Sequence, residues 1–280
     1  MKKCKNTLFI LLLAILMTGC AKGARERQQP SADPPKGNIT TTLHTDSIIQ
    51  LKRTPHGSCE ARIDYPTSGP KALVDALRTF IRSTLFEDGG ENIPNDPQEM
   101  ARQYCEQQTA AQARQIEQMG LRTVGANEAP EEGTYIRLVC TAERFVTYEV
   151  YRYSYISQGA HGEYADYGVT FRTSDGKRMS YILNKVDEQL FAFIREGLRR
   201  YFNVRNDEDL DELCTVDLSL LPMPTFPPYL VSDGVRFHYS IYDLCKFEDG
   251  DPALTIPYEI AKPYMTQEAR DLVFGPNTHR

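Results

Sequence analysis

The sequence predicts an α+β fold in which antiparallel sheets with hairpins pack against amphipathic helices. Three observations carry that expectation. Strand-like and helix-like segments come in blocks, and no repeated strand–helix–strand unit appears. Two Asp-Gly pairs, Asp175-Gly176 and Asp233-Gly234, stand between alternating apolar runs, the strongest short signal for a hairpin. Three further segments repeat apolar residues at helical spacing.

Taken in order, "SCEARIDYP" alternates Ala61, Ile63 and Tyr65 and reads as a first strand. In "SGPKALVDALRTFIRSTLF", Leu73, Ala76, Leu77, Phe80, Ile81 and Leu85 recur at helical spacing behind Pro70, and Gly89-Gly90 close the helix. A second helix opens at Asp96-Pro97-Gln98-Glu99, an Asp-x-x-Glu capping pattern with proline at the first helical position. It runs through Met100, Tyr104, Ala111 and Ile116 to Gly120, and its Gln- and Ala-rich middle leaves one face in water.

Residues 134–157 turn to β-branched and aromatic types, giving two strands that break near Ala142-Glu143. In the second, Tyr151, Tyr153 and Tyr155 share one face while Val146, Tyr148, Val150 and Ile156 share the other. After the Gly159-Ala160-His161-Gly162 loop comes a hairpin of "YGVTFRT" and "RMSYIL" about Asp175-Gly176. "KVDEQLFAFIREGLRRYFN" is an amphipathic helix, and "NDEDLDEL" an acidic turn or short helix. A second hairpin turns at Asp233-Gly234 into "VRFHYSIYDL", and "PALTIPYEIAKPYM" supplies a short strand and a helical turn.

The first twenty residues address the chain. Lys2, Lys3 and Lys5 precede an apolar run from Leu8 to Met17, shorter than the roughly 20 residues a membrane span needs, so it reads as a secretory signal. Its end, Leu16-Met17-Thr18-Gly19-Cys20, resembles the lipobox of bacterial lipoproteins, which implies lipidation of Cys20 and a membrane anchor. The polar stretch "AKGARERQQPSADPPKGN" is a flexible tether. Its early charges are Lys22, Arg25 and Arg27 rather than an acidic run, which points to a periplasm-facing anchor on the outer membrane.

Loss of residues 1–19 removes three lysines and no acids, so the formal charge moves from -6 to -9. That balance disfavours nucleic acid and anionic lipid as partners and tolerates a basic protein. With 41% hydrophobic residues, the remaining chain can bury a sizeable core. Apart from Cys4 and Cys20 there are five cysteines, Cys59, Cys105, Cys140, Cys214 and Cys245, so at most two bridges close within the chain. Cys214 and Cys245, which flank the C-terminal hairpin, are the disulfide candidates, with reduced thiols as the alternative. No CxxC or other metal-like cysteine spacing appears, and the sequence suggests neither a metal nor a cofactor.

"YSYISQGAHGEYADYGVTFRTSDGKRMS" resembles the Tyr-x-Tyr-x-x-Gly-Gly-Ala-His-Gly segment and following hairpin of the extracytoplasmic domain in RsiV-type anti-sigma factors, with Gln158 in place of the first glycine. "FPPYLVSDGVRFHYSIYDLCKFEDGDPALTIPYEIAKPYM" is similar to the end of that domain, and "ARIDYP" with the helix after it to the partner domain that precedes it in PdaC-type deacetylases. The resemblance covers about residues 50–265. Behind the signal peptide at 1–19 and the tether at 20–49, it implies a PdaC-type N-terminal region at 50–157 and an RsiV-type C-terminal region at 158–265, leaving a tail at 266–280.

The RsiV-type domain binds lysozyme, so the resemblance implies an envelope binding module for a lysozyme-like protein or a peptidoglycan glycan. The Asp-Asp and His-x-x-x-His metal motifs of the deacetylases are absent, and that activity does not carry over. The binding candidates are Tyr153, Tyr155, Gly159, His161 and Gly162. A tyrosine row serves either as a stacking platform or as a half-buried sheet face with its hydroxyls at the rim. His161 either pins a glycine turn, contacts a ligand, or acts as a base with Glu163 or Asp166 in an envelope hydrolase. A structural envelope lipoprotein without a ligand is the remaining alternative. His238, between Phe237 and Tyr239, reads as a strand-face residue.

Overall fold

The computed structural model describes residues 42–86, 92–120, 129–155, 162–246 and 250–276. Its sheets and helices give the α+β class read from the sequence. The larger sheet has five strands in spatial order β1-β2-β3-β4-β5: β1 His44–Thr54, β2 Gly57–Ser68, β3 Glu131–Thr141, β4 Phe145–Tyr155 and β5 Glu163–Arg172. Helices α1 (Lys71–Leu85) and α2 (Pro97–Gln118) connect β2 to β3. Those two strands pair in parallel, Ser58 beside Glu131, while the other pairs of the sheet are antiparallel. The sheets are therefore not wholly antiparallel, because a connection containing two helices returns the chain in its starting direction.

Cys59, Ala61, Ile63 and Tyr65 on β2 meet Leu73, Leu77, Phe80 and Ile81 on α1 in the first apolar core. The periodicity that marks both elements is the packing itself. On α2 the Asp96 carboxylate accepts from the Glu99 N–H, as the capping pattern requires, but the Glu99 side chain turns to Arg102 instead of reaching back. Val146, Tyr148 and Val150 of β4 and Val169 and Phe171 of β5 complete this core. The second region thus lends a strand to the sheet of the first, and residues 156–161 lie outside the described residues.

A second core lies among α3 (Glu188–Phe202), α4 (Asp207–Leu213) and a three-stranded antiparallel sheet of β6 (Tyr229–Val231), β7 (Gly234–His238) and β8 (Ala253–Pro257). Alternation gives this small sheet two faces. Leu230, Val235, Phe237, Leu254 and Ile256 join the core with α3, while Tyr229, Arg236 and His238 turn toward the five-stranded sheet. The layers are stitched by buried hydroxyls: Thr147 Oγ1 donates to the Leu230 carbonyl at 2.7 Å, and Thr170 Oγ1 accepts from the Leu230 N–H at 3.1 Å. Two short helices close the chain, α5 (Tyr258–Ala261) and α6 (Gln267–Phe274).

Four expectations change. The tether reading of residues 20–49 extends too far, since β1 starts at His44; its residues are half-buried or exposed, so it lacks a strong apolar signal. Residues 266–280 are not only a tail, because α6 docks Ala269 and Leu272 into the second core. The Asp175-Gly176 turn forms, yet "RMSYIL" pairs with β5 only through the bridge of Phe171 with Arg178 and does not build a strand. The disulfide is Cys59–Cys105, which ties β2 to α2. Cys214 and Cys245 are also neighbours, across an isolated bridge with their sulfurs 3.7 Å apart, and are not bonded as a disulfide. No described helix is long and apolar enough to cross a membrane.

Candidate functional site

One face of the five-stranded sheet is covered by α1 and α2, and the small sheet covers part of the other. What remains of that outer face is aromatic. Tyr135 on β3, Tyr151 and Tyr153 on β4 and Tyr164 on β5 share it because they are cross-strand partners: Tyr135 faces Tyr151 and Tyr153 faces Tyr164. Their rings lie against one another, with centroids 5.6 Å apart for Tyr135–Tyr151 and 6.5 Å for Tyr153–Tyr164, both stacked. Tyr153 lies flat over Gly133, where a Cβ would stand 1.9 Å from the ring, so any side chain at 133 would displace it.

All four rings are half-buried. At the edge, the Tyr135 hydroxyl donates to Glu60 at 2.8 Å, Glu60 pairs with Arg62 at 2.7 Å, and the Arg62 guanidinium sits 5.2 Å from the Tyr135 ring centre. Burial pushes the Tyr151 hydroxyl up to about 12, helped by the neighbouring Tyr164, Asp251 and Asp166, and raises those of Tyr135 and Tyr153. The face therefore offers apolar rings and protonated hydroxyls together. Of the sequence candidates, Tyr153 sits within this face and Tyr155 continues its row opposite Glu131. Gly162 is buried beside the Ser154 carbonyl, while Gly159 and His161 lie outside the described residues.

Where the small sheet meets this face, charged groups collect. Glu149, 7% exposed, accepts from the Tyr229 hydroxyl at 2.9 Å and from Arg236 at 3.1 Å, and lies 3.5 Å from Arg137. Asp166, the cross-strand partner of Tyr151, faces His238 Nδ1 at 3.5 Å, and Asp251 reaches Nε2 of the same ring at 3.4 Å. His238 is 7% exposed, so the strand-face residue read from the sequence is enclosed between two carboxylates. Burial pushes the Asp166 carboxyl up to about 6 against the pull of His238, while His238 holds the Asp251 carboxyl below the usual range. These three residues offer one ligand atom each within 4.8 Å of one another, the described group with the donors to hold a metal ion.

Asp166 is legible in the sequence as a carboxylate near His161, but its described partner comes from β7. Nothing in the spacing of residues 166, 238 and 251 announces them. The one local clue is that His238 alternates with Phe237 and Tyr239, so it must face away from the core they enter. Beside the cluster, Tyr167 stacks on Phe226 at 4.6 Å, and both rings line a cleft of about 430 Å³ with Met179, Tyr181 and Tyr229.

This fold is shared by solved structures. A DUF3298-family protein from Bacteroides fragilis superimposes with a TM-score of 0.66 at 21% identity, over 84% of this chain and 99% of that one. A DUF3298-family protein from Pseudomonas aeruginosa superimposes with a TM-score of 0.51 at 15% identity, over 81% and 94% of the two chains. At such identities the likeness is one of fold. No protein-family model and no curated protein matches the sequence.

Proposed function

We propose that the chain is a lipid-anchored envelope binding module whose ligand docks on the outer tyrosine face of the five-stranded sheet. The observation that carries the reading is the set of four half-buried, mutually packed rings on a rigid sheet, with an acid–base pair at its edge. Tyrosines give large contact area at low cost in side-chain entropy, which is why they dominate binding hot spots. A cationic protein of the lysozyme kind is the favoured ligand. The sequence resemblance to RsiV-type domains supports it, and so does the acidic balance of the chain, which steers a basic partner toward it. Engagement of Asp166 by His238 supports binding over a hydrolase built on His161 with that carboxylate.

Two measurements test the reading. Tyr151→Ala and Tyr153→Ala should each weaken capture of lysozyme by about tenfold or more, the loss of a hot-spot ring. Unchanged capture in both variants would remove the face from the binding site. Retention of the wild type on insoluble peptidoglycan, with none on lysozyme, would replace the protein ligand by a glycan. Separately, Cys20→Ala should release the protein from the membrane fraction or block its processing, because a lipid chain needs that thiol. A variant still lipidated and membrane-bound would overturn the anchor.

A further inference from the structure

We propose that Asp166, His238 and Asp251 form a binding site for a divalent transition-metal ion of the zinc class, bordering the tyrosine face and independent of the ligand that face takes. The three residues arrive from different elements, β5, the end of β7 and the segment entering β8. Nothing local would bring them together, yet their ligand atoms lie within 4.8 Å of one another.

The histidine is the second, independent observation. Its side chain is 8% exposed, and neither ring nitrogen has a well-aligned hydrogen bond among the described residues, only the long contacts to Asp166 and Asp251; Asp166 Oδ1 has none better. Buried polar atoms are nearly always satisfied, so an enclosed imidazole held only by long contacts to two carboxylates marks a missing partner. The separations of 3.5 and 3.4 Å are too long for good N–H···O bonds, which run to about 3.2 Å. A tetrahedral ion spaces its ligands about 3.4 Å apart when each bond is about 2.1 Å, so whichever ring nitrogen ligates already stands at that spacing from the carboxylate facing it. The carboxylate facing the other nitrogen has to move in, because the ligand atoms now lie within 4.8 Å of one another and a tetrahedral ion needs about 3.4 Å.

The chemistry of the donors agrees. One imidazole and two carboxylates suit Zn²⁺, Mn²⁺ or Fe²⁺, and no thiolate is present to select Cu⁺. Charge points the same way. Arg236 and Arg137 both lie on Glu149, and burial already disfavours the charged form of Asp166. A dication would supply the compensation that the arginines give to Glu149. Asp251, 39% exposed, leaves a side open for the ion to enter and for water to fill the remaining positions.

The test uses the full chain purified in detergent, stripped with chelator, and titrated with Zn²⁺ and with Co²⁺ as a spectroscopic probe. One ion per chain should be retained after dialysis, with a rise in melting temperature and a cobalt spectrum free of thiolate-to-metal charge transfer. Asp166→Asn and Asp251→Asn should each weaken the affinity at least tenfold. Asp251→Asn, on the more exposed residue, should keep the melting temperature of the ion-free wild type, which guards against a folding defect. No retained ion, wild-type affinity in both variants, or a thiolate band from Cys214 and Cys245 would overturn the site.

Discussion

Replacing Cys59 by alanine is expected to lower the stability by about 2–5 kcal/mol, the usual cost of losing a native bridge in a secreted domain. Both sulfurs belong to fully buried residues, and the bond joins β2 to α2 across a sequence separation of 46 residues. Its removal frees a long loop in the unfolded chain and leaves a small void in the first core. In a chain of this size the loss corresponds to a fall in melting temperature on the order of 10 °C. Thermal melts of Cys59→Ala, Cys105→Ala and the double variant provide the check. The three should agree closely, because the second substitution removes no further bond, and reductant should bring the wild type down to the same value. A wild type indifferent to reductant would show that the bridge does not form.

Tyr229→Ala should be comparably damaging, at about 3–5 kcal/mol for truncating a large buried aromatic. Tyr229 is 2% exposed and joins the two sheets in two ways. Its ring lies flat on Gly168, where a Cβ would stand 2.3 Å away, and its hydroxyl donates to the buried Glu149. Burial raises that hydroxyl well above the usual phenol range, so it remains a donor. Truncation removes ring and donor together. Tyr229→Phe keeps the ring, and Arg236 still contacts Glu149, so it should cost only about 1–2 kcal/mol. Gly168→Ala probes the contact from the other side and should destabilise by overpacking, by about 1–3 kcal/mol. Denaturant unfolding of the three variants separates these effects. Equal losses for Tyr229→Ala and Tyr229→Phe would show that the hydroxyl dominates and the ring adds nothing.

What the sequence disclosed follows from where apolar residues recur. α1 and α3 each bury one regular face, so their positions and inward residues are readable from spacing alone, while β4, buried on both faces over its first half, is marked by its run of β-branched and aromatic residues. The α2 start is equally legible, because a cap is a local interaction between Asp96 and the N–H of Glu99. β1 escapes because an edge strand with both faces partly in water has no periodic signature. The parallel pairing of β2 with β3 escapes because strand direction is a property of the connection, not of the strand.

The candidate site divides along the same line. The tyrosine row of β4 was visible as alternation, whereas Tyr135 and Tyr164 join it only through register with neighbouring strands. Asp166, His238 and Asp251 meet only in three dimensions. The cysteines illustrate the limit of proximity arguments: Cys214 and Cys245 do come together, as their flanking positions suggested, yet the bond lies between Cys59 and Cys105 on elements whose packing no spacing reveals.

The parallel pair has a consequence for the order in which the chain can assemble. β3, β4 and β5 form a meander, and each of its strands can find its neighbour soon after synthesis through a short connection. The β1–β2 hairpin can form just as early. Ser58 and Glu131 meet only after both intervening helices have been made, and closing so long a loop is entropically slow. The central seam of the sheet is therefore the last to zip. Until it does, β2 and β3 each present an unpaired edge to the crowded compartment in which the chain matures, and the interval before closure is when partial assembly and strand exchange between copies compete with folding.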